Sequence, residues 1–159
     1  MDEKERPVAL DPATLPASTR TGYPPPLDEA MRGRSKRRVG DAFGLTRLGA
    51  NLIELEPGAA SSLRHWHHRE DEFAWVVRGP VTLVTDAGER ELATGMAAGF
   101  PAGVADGHAF VNRSDHPVAV LLVGSRLDED VAEYPDHDLR AVKEHGAWRF
   151  TTRTGHPLP

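Results

Sequence analysis

Turn-forming residues divide the middle of the chain into short segments, and this spacing restricts the fold more than any other feature of the sequence. From Val39 to Ser125, apolar and β-branched runs are separated by breaks such as Pro57-Gly58, Gly79-Pro80 and Ala102-Gly103. Short strands at regular spacing favour a closed all-β barrel or a sandwich. No window shows a convincing long periodicity of about 3.6 residues, the pattern typical of an amphipathic helix.

The pattern predicts a series of short strands within one domain. A chain of 159 residues is long enough to bury about 70% of its unfolded surface in a single core. The predicted strands lie near Ala50–Leu55, Ser61–His67, Glu72–Arg78, Val81–Thr85, Glu89–Leu92, Met96–Phe100, His108–Asn112 and Val118–Ser125.

A cluster of potential metal ligands begins with His65 and His67 and continues with Glu72 and His108. Residues two apart on a strand point to the same face, so His65 and His67 should project together. Metal binding needs neutral imidazoles and an ionised carboxylate that converge on one point. The sequence therefore predicts a metal site, in which the carboxylate of Glu72 either binds the ion or orients a histidine.

Glycines and prolines frame these residues at defined spacings. The frame reads Gly58-x6-His65-x-His67-x4-Glu72-x6-Gly79, followed by Gly95-x5-Pro101-x-Gly103-x4-His108-x3-Asn112. It resembles the two signature motifs of the cupin superfamily. The second motif departs from the usual pattern, because four residues rather than two separate its Pro-x-Gly from the histidine; Gly107 should give the chain room to turn His108 inward. Flanking segments resemble a branch of single-domain bacterial cupins, some with sugar-phosphate-isomerase-like labels.

The resemblance implies a double-stranded β-helix, or jelly-roll, barrel. The predicted division is an extended proline-rich arm over residues 1–30 and a single cupin barrel with a C-terminal tail over residues 31–159. One divalent transition-metal ion (Zn, Mn, Fe, Ni or Cu) is expected, held by His65, His67, Glu72 and His108. Similar cupins are often dimers, which favours a homodimer with two-fold symmetry in which the arm or an edge strand crosses to the partner.

Several neighbours of these residues have competing interpretations. His68 has the opposite strand parity to the histidine pair, and Glu70 and Asp71 compete with Glu72 for the carboxylate role. Arg64 should point away from the metal as a structural or solvent-facing side chain. We expect Trp66, Trp75 and Phe110 to pack in the barrel. Asn112 is expected to stabilise a turn.

The two ends of the chain differ in composition from the predicted barrel. Six of the thirteen prolines lie in the first 26 residues, so this arm should be extended, either mobile or draped over a surface. The basic run 32–38 is interpreted as a solvated segment or strand edge; contact with an anionic substrate or a partner subunit is the alternative. The segment 148–152 is expected to form an edge strand or to cover an opening of the barrel.

Composition excludes several classes of site and partner. The chain has no cysteine, so any metal must be held by nitrogen and oxygen. A net charge of −5 argues against general affinity for nucleic acid. The N-terminal segment has no apolar signal region, and the longest apolar run, Val118 to Val123, is too short to span a bilayer. A cytoplasmic protein without nucleic-acid or membrane partners is expected.

Three imidazoles and a carboxylate leave open positions on an ion, which indicates a site that binds a small oxygenated metabolite. An enzyme is favoured, and the resemblance makes isomerisation of a sugar or sugar phosphate the leading reaction. An iron-dependent dioxygenase and a non-catalytic binding module are the alternatives. Isomerisation requires a proton-transferring group near the ion, with Glu70 and His68 as candidates, so the catalytic residues are left open.

Overall fold

The structure is a computed structural model that describes residues 6–158. Twelve strands lie within these residues: β1 (Arg34–Arg38), β2 (Leu48–Leu55), β3 (Trp66–His67), β4 (Glu72–Arg78), β5 (Val81–Thr85), β6 (Gly88–Leu92), β7 (Ala97–Phe100), β8 (Ala109–Val111), β9 (Val118–Ser125), β10 (Asp130–Tyr134), β11 (Leu139–Glu144) and β12 (Ala147–Thr151). Helical structure within the described range is limited to α1 (Val39–Ala42) and two 3₁₀ helices, Pro12–Thr14 and Leu27–Met31. None of these helices has the length and apolar character needed to cross a membrane.

The strands form three antiparallel sheets. The largest has the order β1-β2-β9-β4-β7, the second β12-β11-β10-β3 and the third β6-β5-β8. Isolated bridges join Ala60 to Val111 and His65 to His108, so the segment before β3 runs along β8 and connects the second and third sheets. The all-β prediction is confirmed.

The predicted strand bounds are most accurate in the first two-thirds of the chain. β4, β5 and β9 begin and end at the predicted residues. The predicted strand Ser61–His67 is too long, because only Trp66 and His67 form a continuous ladder there. The tail forms the edge strand β12, which pairs with no strand other than β11 among the described residues. The strands β10 and β11 were not predicted.

The basic run forms the edge strand β1. Among the strands it pairs with β2 alone, so it lies at the edge of its sheet, as one of the interpretations predicted. The arm before it packs on its own chain: Tyr23 and Leu27 contact a buried cluster that includes Leu139. Ser18 makes an antiparallel bridge with Lys36. The arm is therefore draped over its own chain, one of the two arrangements expected for it, and the boundary at residue 30 stays a prediction.

The barrel is packed at one end and hollow at the other. The main core contains large buried side chains from five strands: Ile53, Leu55, Val76, Val81, Phe110, Val118 and Val120. Along the inward face of β2, Ile53 is followed toward the open end by Asn51 and Gly49. On β9, the inward position next to Glu72 is Gly124. Because small residues replace large ones toward this end, a cavity of about 430 Å³ opens there.

One aromatic residue lies where the packing prediction did not place it. Trp75 is 45% exposed on the outward face of β4, between Phe73 and Val77, which are 44% and 46% exposed. Phe110 is 1% exposed in the core, as predicted. Trp66 is half-buried and stacks on His68, with ring centroids 4.6 Å apart. The alternation of β4 explains the error, since its inward positions are taken by smaller residues such as Ala74 and Val76.

Candidate metal centre

The four residues predicted as metal ligands converge on one carboxylate oxygen at the wall of the cavity. Oε2 of Glu72 lies 2.7 Å from Nε2 of His108, 3.5 Å from Nε2 of His67 and 3.6 Å from Nε2 of His65. Donor atoms of His65, His67 and Glu72 all lie within 4.8 Å of one another. All four side chains are shielded from solvent, with exposed fractions from 6% at His108 to 24% at Glu72.

Strand pairing brings these side chains together. His65 and His108 exchange two backbone hydrogen bonds, with N···O distances of 3.2 and 2.9 Å, so the two imidazoles lie side by side. His67 is paired with Ala132 on β10, and Glu72 begins β4 between Gly124 and Phe100. Gly124 lies directly beside Glu72, since a Cβ added there would be in ordinary van der Waals contact with Cγ of Glu72, at 3.7 Å.

Neighbouring groups fix which ring nitrogen of each histidine faces the centre. Nδ1 of His67 lies 2.5 Å from Oδ2 of Asp130, and Nδ1 of His65 donates to the backbone oxygen of Leu63 at 2.9 Å. These bonds place the Nδ1 protons outward and leave Nε2 available at the centre. A carboxylate behind a histidine is the usual support of a metal ligand in proteins.

Asp130 is a functional residue that sequence reasoning missed. It lies on β10 and also accepts a hydrogen bond from the backbone N of Arg69 at 2.8 Å. Burial raises the pKa of Asp130, but the hydrogen bonds from His67 and from the backbone N of Arg69 together outweigh that effect and lower it. Its signal in the sequence is only an acidic stretch, 128–130, and nothing local indicates that this stretch folds back onto His67.

His108 is held by packing rather than by a second hydrogen bond. Its ring stacks on Phe100 with centroids 3.6 Å apart and an interplanar angle of 4°. Nδ1 is buried and has no hydrogen-bond partner among the described residues. Gly107 contributes differently from the prediction: a Cβ there would lie 2.8 Å from Pro135, so glycine permits the close approach of the β10–β11 turn.

Arg64 is structural and points away from the centre, as predicted. Its guanidinium donates two hydrogen bonds to Asp136, at 2.9 and 2.8 Å, and others to Asp86 and the backbone oxygen of Gly107. The Arg64 hydrogen bonds lower the pKa of Asp136. This clamp ties the residue before His65 to the residue before His108.

Of the competing side chains, His68 and Asp71 lie outside the centre, whereas ligand atoms of Glu70, His67 and Asp130 lie within 4.8 Å of one another. His68 stacks on Trp66 and pairs with Glu133 at 3.1 Å, outside the cavity. Asp71 accepts a hydrogen bond from the backbone N of Ala102 at 2.8 Å. Glu70 is buried, lines the cavity, and accepts a hydrogen bond from Lys143 at 2.8 Å.

The electrostatics of Glu72 and His108 suit a cation. Burial raises the pKa of Glu72, but the hydrogen bond from His108 and the nearby imidazoles of His65 and His67 together hold it well below its usual range. Burial lowers the pKa of His108, which favours the neutral imidazole that a metal requires. Ligands about 2.1 Å from an ion in tetrahedral or octahedral geometry lie roughly 3–3.5 Å from each other. The spacings of 3.5 and 3.6 Å from Glu72 to His67 and His65 are close to this range, whereas His108, at 2.7 Å, is hydrogen-bonded to the carboxylate.

The cavity extends from this centre across the inner face of the barrel. Its volume of about 430 Å³ lies within the range of small-molecule sites, about 300–1,000 Å³. His65, His67 and Glu72 line it together with Tyr23 from the arm and Lys36 from β1. Burial raises the pKa of Tyr23, so its hydroxyl stays neutral and able to donate.

The chain belongs to the cupin superfamily. Residues 51–124 match the family described as Cupin domain. A cupin-superfamily sugar phosphate isomerase from Silicibacter pomeroyi is 44% identical, with a TM-score of 0.91 over 95% of this chain and 96% of that one. A candidate sugar phosphate isomerase from Acidithiobacillus ferrooxidans is 33% identical, with a TM-score of 0.71 over 79% of this chain and 80% of that one.

The fold is shared more widely than the sequence. The polyketide cyclase RemF from Streptomyces resistomycificus is 22% identical, with a TM-score of 0.59 over 74% of this chain and 78% of that one, which shows the fold alone. No curated protein matches the sequence significantly. The Silicibacter pomeroyi and Acidithiobacillus ferrooxidans relatives share the fold, and the first of them aligns over nearly the whole chain.

Proposed function

We propose that this cupin binds one divalent transition-metal ion through His65, His67, Glu72 and His108 and acts on a small oxygenated metabolite in the cavity. The observation that carries the proposal is the convergence of three Nε2 atoms on one carboxylate oxygen, 2.7–3.6 Å away, at the wall of a 430 Å³ cavity. Zinc, manganese, iron, nickel and copper all accept this set of nitrogen and oxygen ligands.

Isomerisation of a sugar or sugar phosphate is the reaction we propose. It is supported by the description of the Silicibacter pomeroyi relative, which is 44% identical over most of both chains. A bound divalent ion would supply polarisation of a carbonyl or hydroxyl oxygen of the ligand. The residues around it hold the imidazoles in one orientation through Asp130 and Leu63, and the packed core excludes water from the inner end.

Glu70 is the proposed proton-transferring residue. An aldose–ketose conversion moves a proton between neighbouring carbons, which requires a carboxylate or similar group facing the ligand. Glu70 lines the cavity, whereas His68, the other candidate, pairs with Glu133 outside it. The hydrogen bonds from Lys143 and from the backbone N of Leu127 both go to Oε1 of Glu70, so neither occupies Oε2.

The proposed function is tested by elemental analysis of purified protein, a stabilisation screen of sugars and sugar phosphates, and an isomerisation assay on every stabilising compound. We expect bound metal and turnover of an aldose–ketose pair. Bound iron with oxygen uptake would favour the dioxygenase instead, and bound metal with a stabilising ligand but no turnover would favour a binding module.

Two variants of the Glu70–Lys143 ion pair test whether Glu70 transfers a proton. Glu70→Gln should lower kcat by about 10²–10⁴-fold, the usual contribution of a general acid or base, and leave the metal content unchanged. Lys143→Met breaks the same buried ion pair but keeps the carboxylate, so it should retain most of the turnover. Equal losses in the two variants would assign Glu70 a purely structural role.

A homodimer remains part of the proposal, as does a cytoplasmic location. Because Tyr23 and Leu27 pack within their own chain, the arm no longer supports the dimer. The exposed row Phe73, Trp75 and Val77 on one sheet face supports it, since exposed apolar patches mark interaction surfaces. Sedimentation at micromolar concentration should give the mass of two chains, and Trp75→Glu should shift it toward one. A single-chain mass for the unmodified protein would reject the dimer.

A further inference from the structure

The cavity has a second polar wall, formed by the edge strand β1. Arg34 is paired with Leu55 and Lys36 with Ile53 in the antiparallel ladder. Paired residues point to the same face of a sheet, and Leu55 and Ile53 are buried in the barrel core. The side chains of Arg34 and Lys36 therefore point into the barrel, where both line the same cavity as His65, His67 and Glu72.

These two cations differ from the other basic residues of the same run. The surface cations each have a carboxylate: Arg32 pairs with Glu29 at 3.7 Å, Arg38 pairs with Asp41 at 3.6 Å, and Arg37 pairs with Glu54. Within residues 6–158, neither Arg34 nor Lys36 forms an ion pair. Nε of Arg34 is buried and has no hydrogen-bond partner in the described structure.

Two partly buried like charges without counter-ions are costly for the protein alone. Burial lowers the pKa of Lys36, and the nearby Arg34 lowers it further. Burial also lowers the pKa of Arg34. In a chain with 24 acidic and 19 basic residues, carboxylates are plentiful, yet none of the described ones forms an ion pair with either of these two. A negatively charged ligand would offset this cost at the moment of binding.

We infer that Arg34 and Lys36 form an anion subsite that binds the phosphate monoester of the substrate, while the oxygenated end lies at the His65–His67–Glu72–His108 centre. A phosphate monoester carries about −1.5 to −2 charges at pH 7, which balances the two cations, whereas a monocarboxylate balances only one. The planar fork of an arginine and the compact charge of a lysine are both common phosphate ligands. This inference rests on the proposed function and narrows its substrate class.

The test is a thermal-shift titration with inorganic phosphate, carried out on protein of measured metal content. Wild type should be stabilised in a saturable manner. Lys36→Met and Arg34→Met should each weaken the response about tenfold or more, the loss of a charge-assisted hydrogen bond, with the metal content unchanged. The matched control is Arg32→Gln, in the same basic run but exposed and paired with Glu29, which should respond like wild type.

A comparison of three further ligands and a pair of replacement variants complete the test. Ribose 5-phosphate should stabilise wild type more than ribose or succinate, which separates a phosphate subsite from a sugar site or a carboxylate site. If Lys36→Met or Arg34→Met does not fold, Lys36→Gln and Arg34→Lys replace them; the latter keeps the charge but loses the bidentate fork and should still bind phosphate more weakly.

The outcome separates the subsite from the catalytic proposal. An equal phosphate response in wild type, Lys36→Met and Arg34→Met, or no response in folded wild type, would overturn the anion subsite. Absence of bound metal or of turnover would overturn the proposed function, yet would leave the difference between these variants and Arg32→Gln intact. A stronger response to succinate than to ribose 5-phosphate would also contradict the phosphate assignment.

Discussion

The metal centre and the cationic wall of the same cavity differ in how their polar groups are satisfied. At the centre, His67 is held by Asp130 and His65 by the backbone of Leu63, and Glu72 lies against His108. On the wall, Arg34 and Lys36 have no ion-pair partner among the described residues. The protein therefore orients one group of side chains itself and leaves the other without a counter-ion. In the proposed function, the first group holds a metal ion and the second binds an anionic part of the substrate.

The largest effect on metal binding should come from removing one of the four predicted ligands. His67→Ala should lose bound metal on dialysis, because one of four donors and the link to Asp130 disappear together. His68→Ala is the matched control, one residue away and paired with Glu133 outside the cavity. Elemental analysis of both variants checks the prediction. Equal metal contents in the two variants would remove His67 from the centre.

Loss of the Asp130 carboxylate, which holds His67, should weaken metal binding less than loss of His67 itself. Asp130→Asn should weaken metal affinity by about 10–100-fold, as is usual for a carboxylate that orients a ligand histidine. The exposed Asp128→Asn keeps the same change of charge without touching a histidine. Competition with a chelator measures both affinities. If Asp130→Asn binds metal like wild type, orientation of His67 does not depend on this carboxylate.

Removal of the metal should lower stability without unfolding the barrel, because the hydrophobic core lies at the other end of the barrel. At a free metal concentration about 100-fold above Kd, bound metal contributes about 2.7 kcal/mol. For a chain of this size, the loss corresponds to about 5–11 °C in Tm. Calorimetry of chelated and reloaded protein measures it. Identical melting of metal-free and metal-loaded samples would contradict the coupling.

The smallest effect should appear at the Arg64 clamp, which lies outside both polar groups of the cavity. Hydrogen bonds from Arg64 lower the pKa of Asp136. Stability from this pair is therefore present above the unfolded pKa, about 3.9, and is lost as pH falls through the lower folded value. Because Asp136 is half-exposed, the contribution is at most about 1 kcal/mol. Asp136→Asn should reduce Tm at pH 7 and narrow its gap to wild type near pH 3.

The comparison also shows how much could be predicted from the sequence. The bounds of β4 and β9 follow from local apolar runs between turn residues, and the four residues of the centre follow from motif spacing. Asp130 reaches His67 across 63 residues, so no local pattern identifies it. The inward direction of Lys36 depends on its register with Ile53, which a basic run alone does not define.

β10 and β11 were missed for a related reason. Their inward positions include Asp130 and Lys143, polar residues that face the metal centre and the cavity, so the usual alternation of apolar and polar residues is absent. Residues selected for a site weaken the signal that reveals a strand. The same strands supply the support for His67 and the ion pair with Glu70.

The measurement that tests the central claim most directly is anomalous diffraction from crystals grown with the metal found in the purified protein. The account predicts one ion with donor atoms of His65, His67, Glu72 and His108 within about 2.0–2.3 Å. Nδ1 of His67 should remain bonded to Asp130. An ion at any other position, or a metal-loaded crystal in which His108 lies away from the ion, would contradict the account.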